Sequence, residues 1–191
     1  HVVKRVGNII QTLKDNGLYE NTIIIFAGDN GLAVGQHGLM GKQNVYEHSV
    51  GVPLMIKAAA QHTGKKTADL CYLIDVFPTL CDMLQLPVPQ SVDGISLLSS
   101  LDGKEPVRDY LYYSYMDNQR GISDGTWKLI EYHVNGKRTT QLFNLKNDPW
   151  ERNDLSGQKK YEKTIQRLRE KMAEEQKRTN DTSVFWNNFS Y

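Results

Sequence analysis

Residues 22–49 read TIIIFAGDNGLAVGQHGLMGKQNVYEHS. The opening TIIIF is continuously apolar and β-branched, and too short for a surface helix. It reads as a strand covered on both faces, the pattern of a parallel sheet. The text then breaks into Gly, Asp, Asn, His and Lys. In open α/β sheets, ligands bind beyond the carboxyl ends of the strands. A polar, glycine-spaced loop at that point is therefore a candidate site.

Asp29 and Asn30 offer adjacent hard oxygen donors of the kind calcium or magnesium takes. Lys42 offers a compact positive charge for an oxyanion. His37 lies between them. Gly28, Gly31, Gly35, Gly38 and Gly41 let the backbone approach a ligand closely. Singly, each residue has a plainer reading: Asp-Asn-Gly is common in turns, His37 suits any loop, and Lys42 suits any surface. Together they fit a divalent cation holding an anionic group.

Outward from this loop the chain reads as alternating elements. Val2, Val3, Val6, Ile9, Ile10 and Leu13 share one helical face, and Asn16-Gly17 supplies the stop. VPLMIK at 52–57 is a second apolar strand. Helix, strand, loop, strand predicts a parallel α/β portion through about residue 85. In DLCYLIDVFPTLCDML, at 69–84, Asp75 is placed to cap a helix whose first turn carries Pro78. Residues 87–106 read as a loop. Between 108 and 145 short β-rich runs are separated by Asp124-Gly125 and Asn135-Gly136, which predicts antiparallel hairpins. Residues 158–178 form an amphipathic helix with Ile165, Leu168 and Met172 inward. The expected division is 1–106 for the α/β part and 107–191 for the small sheet, long helix and tail.

The 191 residues are 39% hydrophobic and 24% charged, within the globular range. With 23 basic and 22 acidic residues, the net charge of +1 gives no electrostatic reason for a nucleic acid or an anionic membrane as partner. No apolar run approaches the ~18 residues of a membrane span. Cys71 and Cys81 form no C-x-x-C pair and read as two buried thiols.

The stretch DNGLAVGQHGLMGKQNVYEHSVGVPLMI resembles the sulfatase family of the alkaline-phosphatase-like superfamily. Its pattern is Asp-Asn-Gly, then Gly-x-His-Gly-x-x-Gly-Lys, then Tyr-Glu-x-Ser and a Val-Pro-Leu strand. LIDVFPTLCDML, VDGISLLSSLDG, GTWKLI and QLFNLKNDPWERNDL continue the resemblance in order to about residue 178. The resemblance implies that Asp29 and Asn30 ligate an active-site calcium, that Lys42 binds a sulfate oxygen, and that His37 is a pocket residue. One departure is Gly51, where the family usually carries Arg.

The family's nucleophile is a formylglycine made from a Cys or Ser in a Cys/Ser-x-Pro/Ala-x-Arg motif. Cys71 is followed by YLID and Cys81 by DMLQ, and no serine starts such a motif. The resemblance therefore implies the C-terminal portion of a sulfatase. Formylglycine and further metal ligands are expected from an N-terminal half of the same protein, and this chain alone is expected to be inactive. The implied substrate is a sulfated small molecule or carbohydrate, and the implied location is exported: periplasmic, secreted or lysosomal. A phosphodiesterase or phosphonate monoester hydrolase of the same superfamily is the first alternative, because one fold hosts both chemistries. A non-catalytic domain of this fold is the second. Tyr110, Tyr112, Tyr113, Tyr115 and Trp127 have two readings at strand spacing, sheet packing or a sugar pocket. Asn180-Asp-Thr and Asn188-Phe-Ser fit the N-glycosylation pattern.

Overall fold

A computed structural model describes residues 1–58 and 64–183. Helix α1, Val2–Asp15, follows the 3.6-residue apolar period. After Gly17, at φ 67°, the chain enters β1, Ile24–Ala27. Strand β4, Leu54–Lys57, lies beside it, with Ile24 opposite Lys57 and Ala27 opposite Leu54. Lys57 anchors the entry to β1. Its Nζ donates to Tyr19 O at 2.6 Å and Thr22 O at 3.1 Å, and sits 4.5 Å from the Tyr19 ring.

Here the structure corrects one expectation: β1 and β4 pair antiparallel, not parallel. A parallel pair needs a crossover of a dozen or more residues, usually built around a helix. The segment between these strands instead spends its length on a tight two-stranded hairpin, β2 (Ala33–Val34) with β3 (Met40–Gly41), and one short helix, α2 (Glu47–Val50). It re-enters the sheet from the end at which it left. Continuous apolarity reports burial and is silent on strand direction.

Helix α3, Val76–Met83, carries Pro78 in its first turn, as its position predicts. Asp75 does not cap α3 with its side chain. Its carboxylate instead accepts the N–H groups of Tyr72 at 2.7 Å and Ile95 at 2.8 Å, and pairs with the Arg108 guanidinium. A buried carboxylate with four donors knits three segments together. The predicted loop 87–106 contains a further short helix, α4, Leu98–Leu101. Cys81 is buried and Cys71 half-buried.

The second part is an antiparallel meander of β5 (Leu111–Tyr115), β6 (Gln119–Ser123), β7 (Trp127–Val134) and β8 (Lys137–Asn144), in that spatial order. Asn135 and Gly136 take φ 51° and 73°, the two positive values a two-residue hairpin turn requires. Asp124 Oδ1 closes the β6–β7 turn by accepting the N–H groups of Thr126 and Trp127. Helix α5, Glu162–Arg178, lays Ile165, Leu168 and Met172 on the face of Tyr112, Ile122, Leu129 and Leu142. The sheet aromatics serve packing: Tyr112 is core, and Trp127 contacts the Tyr161 ring at 5.2 Å. Beyond α5, Asp181 is held by Arg120 at 2.7 Å and Tyr112 Oη at 2.6 Å. Asn180 lies just before it, and Asn188 is outside the described residues.

Candidate active site

Asp29 and Asn30 follow β1 directly, so the sheet fixes where they stand. Asp29 Oδ1 accepts the Asn30 N–H at 2.8 Å, and Asn30 Nδ2 donates to Gly31 O at 3.0 Å. Both side chains are exposed, and Asp29 Oδ2 and Asn30 Oδ1 accept no hydrogen bond from the described residues. Two outward hard oxygens suit part of a calcium or magnesium shell, well short of the ~6–8 oxygens calcium takes. Among the described residues no group of three or more His, Cys, Asp or Glu gathers as a complete metal site. The residues present fit a shared ion, with the remaining ligands coming from elsewhere.

Gly31 is obligatory for this geometry. Its N–H donates to Ser49 O at 2.9 Å, and a Cβ there would lie 2.0 Å from the His48 carbonyl oxygen. The 29–31 turn is thus pressed against α2.

The glycine-rich excursion is a hairpin. Ala33 pairs with Gly41 and Val34 with Met40, so Lys42 stands just past the Gly41 that faces Ala33, which is three residues beyond Asn30. Directly opposed antiparallel residues lie about 4.5–5.5 Å apart at Cα. The ammonium of Lys42 is exposed and makes no hydrogen bond or ion pair with a described residue. Gly35 and Gly41, at φ 104° and 105°, make the reversal feasible.

His37 does not join Asp29, Asn30 and Lys42 in any hydrogen bond. It sits at the hairpin tip with φ 53°, its ring stacked on Tyr46 at 4.0 Å and 4°. Its Nε2 lies 3.2 Å from Trp150 O. His48 completes an aromatic group, 5.6 Å from His37 and 5.7 Å from Tyr46. Burial holds the His48 imidazole below its ordinary pKa, and the nearby His37 and Lys128 act in the same direction.

The site segment is clamped to the small sheet by charges that sequence reading left without a role. Lys128 on β7 is fully buried. Its Nζ meets Glu47 Oε1 at 2.7 Å and Glu151 Oε1 at 3.1 Å, and lies 4.9 Å from the Tyr113 ring centre. Glu151 Oε2 accepts the Glu47 N–H at 2.6 Å. Burial pushes the Glu151 carboxyl above its usual range, partly opposed by Lys128 and by the Glu47 N–H. Val45 and Tyr46 pack on Ile130 and Phe143 beside this cluster. In the sequence all three charges sit in familiar short motifs, but alternation along β7 marks Lys128 only as one more residue of a strand. Gly51 abuts the cluster: a Cβ there would lie 2.8 Å from Glu47 Oε2 and 2.9 Å from Glu47 O.

A family model described as N-sulphoglucosamine sulphohydrolase, C-terminal, matches residues 35–178. An N-acetylglucosamine-6-O-sulfatase of Bacteroides thetaiotaomicron is 30% identical over 193 residues, covering 94% of this chain and 34% of that protein. Among solved structures, one of a protein in complex with its substrate D-glucosamine-2-N,6-O-disulfate superposes with a TM-score of 0.81 at 27% identity, covering 95% of this chain and 39% of that one. The phosphonate monoester hydrolase of Agrobacterium radiobacter superposes with a TM-score of 0.75 at 26% identity, covering 90% and 38%. The chain spans about a third to two fifths of the length of these relatives. The four-stranded sheet, the long helix and Lys42 fall within the matched residues 35–178, with Asp29 and Asn30 just ahead of them, and the chain belongs to the C-terminal family of N-sulphoglucosamine sulphohydrolase, within the sulfatases of the alkaline-phosphatase-like fold.

Proposed function

We propose that this chain is the C-terminal portion of a sulfuric ester hydrolase acting on sulfated carbohydrate, and that it carries part of the cation and sulfate site. The observation that supports this reading is the hairpin register, which pairs Gly41 with Ala33 and so brings the chain at Lys42 back to the end of the hairpin that Asp29–Asn30 lead into. Asp29 and Asn30 hold calcium, with magnesium the other hard cation that fits. A cation there supplies positive charge to the sulfuryl oxygens, and a formylglycine from the N-terminal half supplies the nucleophile. Lys42 binds a sulfate oxygen and stabilises charge that grows on it in the transition state. His37 shapes the pocket wall. The relatives named for glucosamine sulfates support the carbohydrate class.

The remaining partner is the N-terminal half of the same protein, which completes the metal shell. The division at 106/107 separates the metal-bearing part from the part that braces it. Export to the periplasm, a secretory route or the lysosome is the compartment the resemblance favours. Among the described residues no helix is long and apolar enough to cross a membrane.

The test is sulfate release from an aryl sulfate and from a glucosamine 6-sulfate by the full-length protein, beside release from an aryl phosphonate monoester. Sulfate turnover dominates if the reading is right, and the 191-residue chain alone shows none. Preference for the phosphonate would establish the second reading, which the Agrobacterium radiobacter likeness keeps open.

A further inference from the structure

One depression collects, beside His37, side chains that the cation and sulfate site does not use. It has a volume of about 540 Å³ and lies between the 36–38 turn, α2 and the 147–152 turn. Gln36, His37, His48, Trp150 and Arg152 line it. Its base is a braced aromatic group. The Tyr46 ring lies flat against His37, and Tyr46 Oη donates to Gln141 Oε1 at 2.6 Å. His37 is in turn fixed by Trp150 O.

Two features of the lining point to a ligand. The first is His48 Nε2, which is buried and has no hydrogen-bond partner among the described residues. A buried polar atom left unpaired is destabilising, a penalty that a ligand hydroxyl would offset. The second is the rim. Trp150 is large and apolar yet 65% exposed, held in place by the buried Glu151 that follows it. Arg152, two residues on, is exposed and lies near the Asp148 carboxylate at the start of the same turn.

An aromatic face, a neutral imidazole and a guanidinium form a mixed lining. An entirely apolar ligand would leave the His48 nitrogen and the Arg152 fork unused. A sugar ring uses all three: its C–H face covers an indole, its hydroxyls reach an imidazole, and an anionic substituent takes the guanidinium in bidentate fashion. The depression meets the anion site through the His37 hairpin, whose other end carries Lys42.

We propose that this depression is a saccharide subsite, in which Trp150 and His48 hold a sugar ring and Arg152 selects for an anionic substituent on it. The proposal rests on the sulfatase reading only for what the sugar is joined to, the sulfate ester seated at Lys42. The anionic group is a carboxylate or a second sulfate.

The experiment uses the full-length protein and isothermal titration calorimetry. Its probes are an unsulfated uronic-acid disaccharide, the same disaccharide carrying one sulfate away from the scissile position, and the carboxyl-reduced neutral analogue. Trp150→Ala and His48→Phe, the latter keeping a ring in the stack, should each weaken binding of all three by about tenfold or more. Arg152→Gln should weaken only the charged ones, and so abolish the preference over the neutral analogue. Trp150 and Arg152 are exposed, and thermal melts check that their variants fold. Unchanged affinities in Trp150→Ala and Arg152→Gln, or no disaccharide binding by the wild type, overturn the subsite. The two readings fail differently. A protein that releases sulfate from an aryl sulfate, but binds disaccharide independently of these residues, sinks the subsite alone. One that binds disaccharide through them and cleaves no sulfate ester sinks the sulfatase reading alone.

Discussion

Lys128 Nζ lies 2.7 Å from Glu47 Oε1, joining the middle of the small sheet to the helix that supports the candidate metal turn, across 81 residues of sequence. Glu151 closes the cluster, meeting Lys128 Nζ at 3.1 Å and accepting the Glu47 N–H at 2.6 Å. Removing the one cation leaves two carboxylates facing each other with Lys128's place filled by hydrocarbon. Loss of one partner from a buried ion pair costs about 3–5 kcal/mol.

Lys128→Met should therefore destabilise the protein by about that amount in urea unfolding. The triple variant Lys128→Met with Glu47→Gln and Glu151→Gln should recover much of the loss. A single variant as stable as wild type would show that the cluster does not brace the site.

Gly31→Ala places a methyl 2.0 Å from a backbone oxygen that has no room to move independently of α2. Overpacking of this kind costs about 1–3 kcal/mol. It should also open the Gly31–Ser49 hydrogen bond, so calcium affinity and turnover fall together. Gly7→Ala is the contrast. It lies in α1 with open space around it and should stabilise by about 0.5–1 kcal/mol. Normal calcium binding in Gly31→Ala would mean that the turn is not pressed on α2 as described.

Asp29→Ala and Lys42→Ala should separate metal from anion in the full-length enzyme. Asp29→Ala loses bound calcium and activity together. Lys42→Ala keeps the calcium and the fold but loses about 10²–10³ in kcat, the loss expected for one preplaced charge at a developing oxyanion. Metal analysis and kcat/KM on both variants check this. Full calcium in Asp29→Ala, or near-wild-type kcat/KM in Lys42→Ala, would leave residues 29–42 as a surface loop only.

His48 carries a pH dependence of known sign. Its imidazole is held below its ordinary value in the fold by burial, His37 and Lys128, so the unfolded chain binds a proton that the native state resists. The stabilising contribution is full above about pH 6.5 and is lost as pH falls from there through the lower native value. Thermal melts between pH 7.5 and 5.5 should show a smaller decline in His48→Phe than in wild type. Equal declines would remove His48 as the source.

Much of this arrangement is legible along the chain. The period of α5, the Asn135-Gly136 turn and the positions of Asp29, Asn30 and Lys42 after a strand are local facts. Backbone geometry makes a residue's neighbours three or four positions away on a helix and two away on a strand. Periodicity therefore names the buried face of α5, and Leu129 and Leu142 duly receive it. The hairpin that brings the chain back to Lys42 is nearly local too, since a short glycine-flanked hairpin has few ways to close.

Tertiary structure decided what depends on distant partners. An apolar run such as residues 22–26 demands cover but carries no direction, so only the path of residues 28–53 made β1 and β4 antiparallel. Asp75 stands where a helix cap belongs, yet Arg108 and the Ile95 N–H claim its carboxylate. Lys128 reads as an ordinary strand residue until Glu47 and Glu151 converge on it. Burying a charge is unfavourable by several kcal/mol without partners and sustainable with them. Those partners lie far away in sequence, so no local pattern carries the information, and it exists only once the chain has folded.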